Sequence, residues 1–409
     1  MGEKPKLVVI GNGMGGVRLL EQLFAKGSCP FEVTVLSAED STGYNRIQLS
    51  KLLAGAIDLD GIQLKPLQWY QEQGIKLFTG EDGQVVNIDR DLKQVSTQSG
   101  KTFSYDRLVL ATGSQPNRIP VPGADLKGVM SFRTLQDVNR MLEGNHQYVV
   151  VIGGGLLGLE CASGLVQRGM SVTIVDNMPT PMARQLDSDA GLLLRQTLES
   201  RGIQFRSQAR LKSYDGVDGH VCGVQLEGDY LPASLVIVTA GVRPDIDLMK
   251  ACGLKSQRGV LVNDQLQTSD PAIMAMGECV EMQYSDQSLL FGLVAPVYRH
   301  AEIVASHLLG GSREAFVPVP IPTNLKVDGV DVFSSGEFNP AESDEVSTLH
   351  APDSQLYRKL VINNNRIKGV LLYGDVTDGL WYQELMASST DISPFRQQLL
   401  FGQRFLPAA

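Results

Sequence analysis

The chain has 409 residues, 43% of them hydrophobic and 20% charged, and a formal net charge of −9 at pH 7. This composition is typical of a globular protein of two or three domains. The acidic balance argues against nucleic-acid binding, which needs clustered Lys and Arg. No apolar run reaches the about 18 residues of a membrane helix, and residues 1–6 have no apolar signal segment. We therefore expect a cytoplasmic protein with neither a nucleic-acid nor a membrane partner.

The first predicted element is a nucleotide-binding unit at the start of the chain. The apolar run 7–10 indicates a buried parallel strand, which leads through Gly11, Gly13 and Gly16 into a helical stretch. In such a unit the first glycine allows a tight turn and the second admits a pyrophosphate to the backbone. The third packs helix on strand, and the helix N-terminus faces the phosphates. Further strands are expected at 33–36 and 107–111.

The same pattern recurs after a linker marked by prolines at 116–122. The apolar run 149–152 leads through Gly153, Gly155 and Gly158 into a second helical stretch, and the unit closes with the run 235–241. One glycine fingerprint is weak evidence, but two in this context indicate two dinucleotides. We interpret them as FAD and NAD(H).

After residue 241 the chain is expected to return to the first domain, with a strand at 273–276 and a helix at about 295–309. Prolines at 318–322 then mark a boundary. Beyond it we expect a hairpin and two short helices. The hairpin strands are 357–362 and 367–373, around asparagines that tolerate left-handed φ, and the helices lie near 380–388 and 391–401.

The predicted fold class is α/β, with two Rossmann-like dinucleotide-binding domains and a small α+β C-terminal domain. The FAD domain comprises 1–114 and 242–318 and is interrupted by the NAD(H) domain at 115–241. The C-terminal domain comprises 319–409.

A Rossmann unit also needs an acid about 20 residues past its glycines, to bind ribose hydroxyls. In the second unit this acid is Asp176, and no Arg follows it. Because a carboxylate repels a 2′-phosphate, we expect NADH to be preferred over NADPH. In the first unit the nearest acid is Glu39, with Asp40 or a water-bridged contact as alternatives.

The cysteines and histidines indicate no metal or redox site. The five cysteines contain no C-x-x-C or similar pair, and we interpret them as small buried hydrophobic residues. His300 and His307 are seven residues apart on a predicted helix, but no acid or Cys completes a metal-ligand set. We therefore predict no metal site.

Together these motifs resemble the FAD- and NAD(P)H-dependent pyridine nucleotide reductases. Besides the two fingerprints, the resemblance is carried by Tyr44-Asn45-Arg46, Leu49-Ser50-Lys51, Ala111-Thr112-Gly113, Glu160 and 240–244. Further segments are similar to one branch, the N-terminal flavoprotein part of the NAD(P)H nitrite reductase large subunit and the electron-transfer subunit of assimilatory nitrate reductase. These segments are Gly277-Glu278-Cys279, 292–296, 325–330 and 381–402.

The resemblance implies residue roles. Lys51 is expected near flavin N5, paired with Glu160, as the catalytic residues. Arg46 is expected at the flavin pyrophosphate, and Glu278 at the ribityl chain, where most relatives have Asp. The full set of predicted cofactor contacts is Gly11, Gly13, Met14, Gly15, Gly16, Glu39, Arg46, Lys51, Val85, Ala111, Thr112, Gly113, Gly153, Gly155, Leu156, Leu157, Gly158, Glu160, Asp176, Gly241, Val242, Gly277, Glu278, Val294 and Ala295.

The segment 45–50, where peroxidase-like relatives have a cysteine, contains none. This favours hydride entry from NADH and single-electron delivery to a carrier protein. The expected function is an FAD-dependent NADH reductase for an acceptor protein of nitrate or nitrite assimilation. Two alternatives stay open, namely a rubredoxin or ferredoxin reductase and a flavin-bound NADH-sensing or assembly protein with negligible turnover. A third alternative, a hydrogen-peroxide-forming NADH oxidase, is weakened by the missing thiol.

In the longer relatives an iron–sulfur segment, and in nitrite reductase a siroheme domain, follows the part that this sequence resembles. The sequence contains no such segment, so the expected partner is a redox acceptor on another polypeptide. It is a nitrate or nitrite reductase catalytic subunit, or a small iron–sulfur or rubredoxin-type carrier. The C-terminal domain is expected to form the acceptor or oligomer surface.

Overall fold

A computed structural model describes residues 3–311, 314–319, 322–327 and 329–406. Asp328, part of the motif at 325–330, and Pro320, part of the predicted boundary, lie outside the described residues. The strands of the described residues are β1 (Lys6–Ile10), β2 (Glu32–Leu36), β3 (Lys76–Phe78), β4 (Val85–Asp89), β5 (Gln94–Thr97), β6 (Thr102–Ser104), β7 (Arg107–Leu110), β8 (Ser114–Pro116), β9 (Val129–Ser131), β10 (Tyr148–Ile152), β11 (Ser171–Val175), β12 (Ile203–Arg206), β13 (Leu211–Val217), β14 (His220–Leu226), β15 (Tyr230–Pro232), β16 (Leu235–Val238), β17 (Val242–Pro244), β18 (Val260–Val262), β19 (Ile273–Ala275), β20 (Val280–Tyr284), β21 (Gln287–Leu290), β22 (Thr323–Val327), β23 (Val330–Gly336), β24 (Glu345–Ala351), β25 (Leu356–Asn363) and β26 (Arg366–Tyr373).

The α-helices of the same residues are α1 (Met14–Phe24), α2 (Leu49–Ala54), α3 (Leu59–Ile62), α4 (Leu67–Glu72), α5 (Leu135–Glu143), α6 (Leu156–Gln167), α7 (Ser188–Ser200), α8 (Asp247–Ala251), α9 (Val294–Leu308) and α10 (Gly379–Ala387). Within the described part of the chain, no helix combines the length and apolar character needed to cross a membrane.

The first compact unit comprises Met1–Leu52, Ile57–Asn117 and Val242–Pro318. Its central sheet has the strand order β3-β2-β1-β7-β19, and every neighbouring pair is parallel. The middle strands are almost wholly buried, as expected where helices cover both faces of a parallel sheet. The chain therefore leaves β1 and enters α1 at the carboxyl edge of the sheet, where Rossmann folds bind ligands.

The second compact unit comprises Leu53–Ala56, Arg118–Gly241 and Val319–Ala409. Its parallel sheet has the order β12-β11-β10-β16-β9, so that β10 takes the central place that β1 has in the first unit. The predicted α/β fold with two Rossmann-like halves is confirmed. The predicted three-domain boundaries stay a prediction, since 319–409 and 118–241 are grouped in one unit.

The C-terminal part of the second unit is an antiparallel sheet of order β22-β23-β26-β25-β24, packed against α10. The predicted hairpin is confirmed as β25 and β26. Asn364 and Asn365 form its turn with φ of 48° and 55°, and positive φ at both positions is what a type I′ turn requires.

The short helical piece predicted at 391–401 is confirmed only in part, because this segment forms two 3₁₀ helices, Ser393–Phe395 and Leu399–Phe401, and no continuous α-helix. The Asp391 carboxylate accepts a hydrogen bond from the Ser393 backbone N–H at 2.9 Å. Such local side-chain bonds compete with helix formation. The Ile392 N–H is meanwhile bonded to the Asn365 carbonyl at the hairpin turn. The neighbouring helix predicted near 380–388 is confirmed as α10.

Candidate cofactor sites

The first glycine fingerprint forms an open cradle at the end of β1. Gly11 has a φ of +111°, and a Cβ there would collide with the Ala111 carbonyl oxygen. A Cβ on Gly16 would collide with the Gly11 carbonyl, whereas one on Gly13 meets no atom within 4 Å. Gly13 is the N-cap residue of α1, and no side chain caps the backbone N–H groups at this helix start. Backbone N–H groups at an uncapped helix start suit a phosphate, so the cradle fits a dinucleotide.

The second fingerprint has the same geometry in the second unit. Gly153 has a φ of +116°, and a Cβ on Gly158 would collide with the Gly153 carbonyl oxygen. A Cβ on Gly155 meets no atom within 4 Å, and α6 starts directly after it without a side-chain cap. In both fingerprints the middle glycine has free space around it, whereas a Cβ on the first or third glycine would collide with the protein. The second cradle therefore also fits a pyrophosphate. Leu156 and Leu157 form the first turn of α6, and Leu157 is exposed.

Asp176 follows the last residue of β11 and faces this second cradle. Its carboxylate accepts a hydrogen bond from the Gly154 backbone N–H through Oδ2, and another from the Met178 N–H at 2.8 Å through Oδ1. A carboxylate has about four lone-pair sites, so Asp176 retains acceptor capacity for a ribose. This geometry supports the role predicted for Asp176.

Glu39 in the first unit is held by two neighbours that sequence reasoning did not connect to it. Tyr44 donates its hydroxyl hydrogen to Glu39 at 2.6 Å, and the Arg46 guanidinium forms an ion pair with Glu39, also at 2.6 Å. Burial opposes the charge on Arg46, but Glu39, Tyr44 and Glu278 outweigh that effect and raise the pKa of Arg46. The guanidinium therefore stays charged and orients Glu39, and its contact with a pyrophosphate stays a prediction.

Two buried polar side chains of this unit were missed by sequence reasoning. Asn12, inside the fingerprint, accepts a hydrogen bond from the Tyr70 hydroxyl at 3.1 Å through Oδ1, while its buried Nδ2 has no partner among the described residues. The buried hydroxyl of Ser41, two residues after Glu39, likewise lacks a partner there. Orphaned buried polar atoms are costly unless something satisfies them. Asn12 lies in the fingerprint and Ser41 lies close to Glu39, the predicted ribose acid, so both atoms could form hydrogen bonds to a bound nucleotide.

The returning segment of the first unit brings Glu278 to the end of β7. The Ser114 hydroxyl donates to Oε2 of Glu278 at 2.6 Å, and Thr112 donates to the Asp245 carbonyl at 2.9 Å. The segment that follows β7 is thus joined to Glu278 through Ser114 and to Asp245 through Thr112, at the carboxyl edge of the sheet. This arrangement can hold a polyhydroxyl chain by hydrogen bonds.

Gly277 is in turn supported by a wholly buried histidine. Gly277 has a φ of +83°, and its N–H donates to Nδ1 of His300 at 3.2 Å. Burial lowers the pKa of His300 to about 3, and the ring packs edge-on against Phe291 and Phe316. His300 is therefore a neutral packing residue.

The remaining predicted contacts lie at the sheet edges and helix starts of their own units. Met14 and Gly15 open α1, and a Cβ on Gly15 would come within 2.8 Å of the Val297 side chain on α9. Val294 and Ala295 open α9, and Val85 is half-buried at the start of β4. Gly241 has a φ of +85°, and Val242, which begins β17, is 40% exposed.

The two predicted catalytic residues lie on helices of different units. The Lys51 side chain is exposed on α2, whereas Glu160 is buried on α6, two residues after the last fingerprint glycine. A lysine ammonium on a helix of the first unit would suit the negative charge of a reduced flavin. The pairing of Lys51 with Glu160 stays a prediction.

The cysteines offer no thiol pair. Burial raises the pKa of the thiols of Cys29, Cys161, Cys252 and Cys279. All five cysteines are free. The interpretation of every cysteine as a small buried residue is wrong for Cys222, which is exposed, and Cys252 is only half-buried. Among the described residues no group of His, Cys, Asp and Glu is arranged to hold a metal ion.

This pair of open phosphate cradles at two Rossmann-type sheets is typical of a protein that binds two dinucleotides. The family model "Pyridine nucleotide-disulphide oxidoreductase" matches residues 5–299, and "Rubredoxin NAD+ reductase C-terminal domain" matches 321–390. The chain belongs to the pyridine nucleotide-disulphide oxidoreductase family. It is accordingly an FAD-dependent NAD(P)H oxidoreductase.

Three curated relatives narrow the comparison. Nitrite reductase [NAD(P)H] of Bacillus subtilis is 41% identical over 96% of this chain and 48% of its own length. The assimilatory nitrate reductase electron transfer subunit of the same organism is 37% identical over 97% and 51%, respectively. The rubredoxin-NAD(+) reductase of Pseudomonas putida is 33% identical over 98% of this chain and 99% of its own. The chain thus spans about half the length of the first two relatives and nearly all of the third.

A solved structure shows the same fold. The ferredoxin reductase from Rhodopseudomonas palustris superposes with a TM-score of 0.83 at 26% identity, covering 95% of this chain and 96% of that one.

Proposed function

We propose that this chain oxidises NADH through FAD and passes the electrons to an acceptor protein of nitrate or nitrite assimilation. The observation that carries the proposal is the 41% identity to a nitrite reductase over 96% of the chain. The 37% identical nitrate reductase relative, an electron transfer subunit by name, supports the same function.

The residues of the first unit supply the binding and orientation that a flavin needs. Gly13 leaves space for the pyrophosphate, Glu39 is oriented by Arg46 for the ribose, and Glu278 is oriented by Ser114 for the ribityl chain. When bound, FAD accepts two electrons from a nicotinamide and can release them one at a time. The protein contributes position and electrostatics.

The residues of the second unit favour NADH over NADPH. Asp176 places a carboxylate at the strand end where the adenosine ribose binds in this fold, and it is anchored there by the Gly154 and Met178 N–H groups. A 2′-phosphate at that position would meet a fixed negative charge. The NADH preference follows from this repulsion.

A matched pair of glycine variants tests the two cofactor assignments separately. Neither Gly13→Ala nor Gly155→Ala places a methyl group within 4 Å of the surrounding protein, so we expect both variants to fold. Gly13→Ala should be purified with little flavin, whereas Gly155→Ala should be yellow yet require at least tenfold more NADH for half-maximal reduction. Normal flavin content in Gly13→Ala would overturn the first assignment, and normal NADH affinity in Gly155→Ala the second.

The acceptor is tested by mixing the NADH-reduced protein with candidate partners in a stopped-flow instrument. A nitrate or nitrite reductase catalytic subunit is expected to reoxidise the flavin faster than rubredoxin. Rubredoxin reductase is the second candidate function, favoured by the end-to-end match to the Pseudomonas putida enzyme and by the C-terminal domain match. Efficient reduction of rubredoxin alone would establish it. Negligible turnover with every acceptor, dyes included, would instead indicate a sensing or assembly role.

A further inference from the structure

The segment 177–187, here called the nucleotide loop, connects the ribose acid Asp176 to the start of α7. It is tied to the fingerprint because the Met182 N–H donates to the Gly154 carbonyl at 2.9 Å. The Leu186 N–H in turn donates to the Met182 carbonyl at 2.9 Å. Met182 has a φ of +51°, an uncommon conformation for a side chain of this size. The loop therefore holds a specific shape that its surroundings must stabilise.

The last residue of this loop, Asp187, forms hydrogen bonds with two side chains of the C-terminal sheet. Its Oδ2 accepts hydrogen bonds from the Tyr357 hydroxyl at 2.7 Å and from the Lys359 ammonium at 2.8 Å. Tyr357 and Lys359 are two residues apart on β25 and so point to the same face of the sheet. The other oxygen, Oδ1, accepts from the Ala190 N–H at 3.1 Å and caps α7.

This contact is largely removed from water. The side chains of Lys359 and Asp187 are 10% and 12% exposed. Burial alone would raise the pKa of Asp187, but Lys359, Tyr357 and the Ala190 N–H outweigh it and lower that pKa. A buried ion pair is strongly disturbed when one partner is removed, because the other charge is left without compensation. Removal of Lys359 would therefore alter the conformation at the end of the nucleotide loop, where Asp187 lies.

Helix α7, which follows the loop, contacts both the nucleotide loop and the C-terminal sheet. Gly191 lies so close to Thr180 of the loop that a Cβ would come within 2.6 Å of the threonine hydroxyl. Farther along α7, the Tyr373 hydroxyl donates to the Leu193 carbonyl at 3.2 Å. Tyr373 lies directly opposite Tyr357 in the sheet. The C-terminal sheet thus contacts both the end of the nucleotide loop and the helix packed on it.

We propose that Lys359 and Tyr357 are positioning residues for the dinucleotide, which hold Asp187 and the nucleotide loop in the conformation that binds NAD(H). The C-terminal domain then sets the affinity for the nicotinamide nucleotide, besides any role in acceptor binding. The inference rests on the proposed use of NADH.

The test is calorimetric titration of the FAD-loaded full chain with NAD⁺, combined with flavin reduction by NADH. Lys359→Met removes the charge and keeps much of the side-chain length, and we expect it to raise the Kd for NAD⁺ at least tenfold. Tyr357→Phe should raise it about threefold, and Lys359→Arg should stay within threefold of the unchanged protein. The reduction rate at saturating NADH should change less than twofold, since the pair touches no reacting atom.

Lys368→Met is the matched control. Lys368 lies on the adjacent strand β26, and its ion pairs with Glu337 and Asp344, at 2.9 and 3.0 Å, stay inside the C-terminal sheet. We expect this variant to bind NAD⁺ normally. An equal loss of affinity in Lys359→Met and Lys368→Met, or a Kd within twofold in Lys359→Met, overturns the inference. If Lys359→Met fails to fold, a normal Kd in Tyr357→Phe overturns it.

The inference and the proposed function can fail separately. Absence of NAD⁺ binding by the unchanged protein would overturn both. Normal binding by the unchanged protein together with normal binding by the variants overturns the positioning role alone.

Discussion

The Gly154 backbone N–H donates a hydrogen bond to Oδ2 of Asp176, which joins the second glycine fingerprint directly to the acid that is predicted to bind the ribose. The same carboxylate also holds the Met178 N–H. Asp176 therefore shapes the loop as well as contributing charge, and this dual role leads to the first prediction.

Asp176→Ala should lower kcat/KM for NADH about ten- to hundredfold, because hydrogen bonds to a charged group contribute about 1.5–3 kcal/mol. The value for NADPH should fall less, since the repulsion of the 2′-phosphate is also removed. Dye reduction with each nucleotide measures both. Asp218→Asn, on an exposed turn of the same unit, serves as the control and should change neither. An equal fall for NADH and NADPH would contradict the discriminating role.

Glu278 is expected to bind the ribityl chain with its carboxylate oriented by Ser114. Glu278→Ala should raise the Kd for FAD about tenfold, whereas Glu278→Asp, which keeps the acceptor one methylene shorter, should stay within threefold. Ser114→Ala should have an intermediate effect, because it removes the orienting hydrogen bond of 2.6 Å but keeps the Glu278 carboxylate. Fluorescence of flavin released on dilution measures all three. Full flavin retention by Glu278→Ala would rule out this role.

His300 should make the protein sensitive to acid. Its pKa is about 3 in the folded state against an ordinary 6.5, so below pH 6.5 the unfolded chain binds a proton that the folded protein does not. The stability contributed by this difference is present above pH 6.5 and is lost as the pH falls towards 3. The loss approaches about 1.4 kcal/mol per pH unit.

His300→Gln should flatten this dependence while lowering stability at pH 7, because the amide packs less well against Phe291 and Phe316. Urea denaturation between pH 4 and pH 7 measures the slope. The exposed His220 supplies the control, and His220→Gln should keep the slope of the unchanged protein. An unaltered slope in His300→Gln would show that other groups cause the acid sensitivity.

Thiol alkylation should leave electron transfer intact. Burial raises the pKa of Cys29, Cys161, Cys252 and Cys279, which lowers their thiolate fraction and reactivity, whereas Cys222 is exposed. Iodoacetamide at pH 7.5 should label Cys222 first, as judged by mass spectrometry, with at least 80% of the dye reduction retained. Cys222→Ser should abolish the early labelling. Inactivation that tracks labelling of another cysteine would indicate a thiol in the electron path.

The two Rossmann-like folds could be predicted from the amino-acid sequence alone, because their signals are local. Strands such as β1 and β10 are short apolar runs buried on both faces, and the glycines that follow them satisfy steric demands within the same turn. The asparagine hairpin was predictable for the same reason, since two consecutive residues needed positive φ.

The contacts between side chains that are far apart in the sequence could be identified only from the three-dimensional structure. Nothing in the local pattern assigns Arg46 to Glu39, pairs Asn12 with Tyr70 or brings Lys359 to Asp187, because hydrogen bonds between distant residues depend on how elements pack. The segment 391–401 shows the same limit. Its pattern favours a helix, but the Asp391 side chain accepts a hydrogen bond from the Ser393 N–H and the Ile392 N–H is bonded to Asn365 of the hairpin turn. Local chemistry predicts strands, turns and cradles, whereas the partners of buried charges are set by packing.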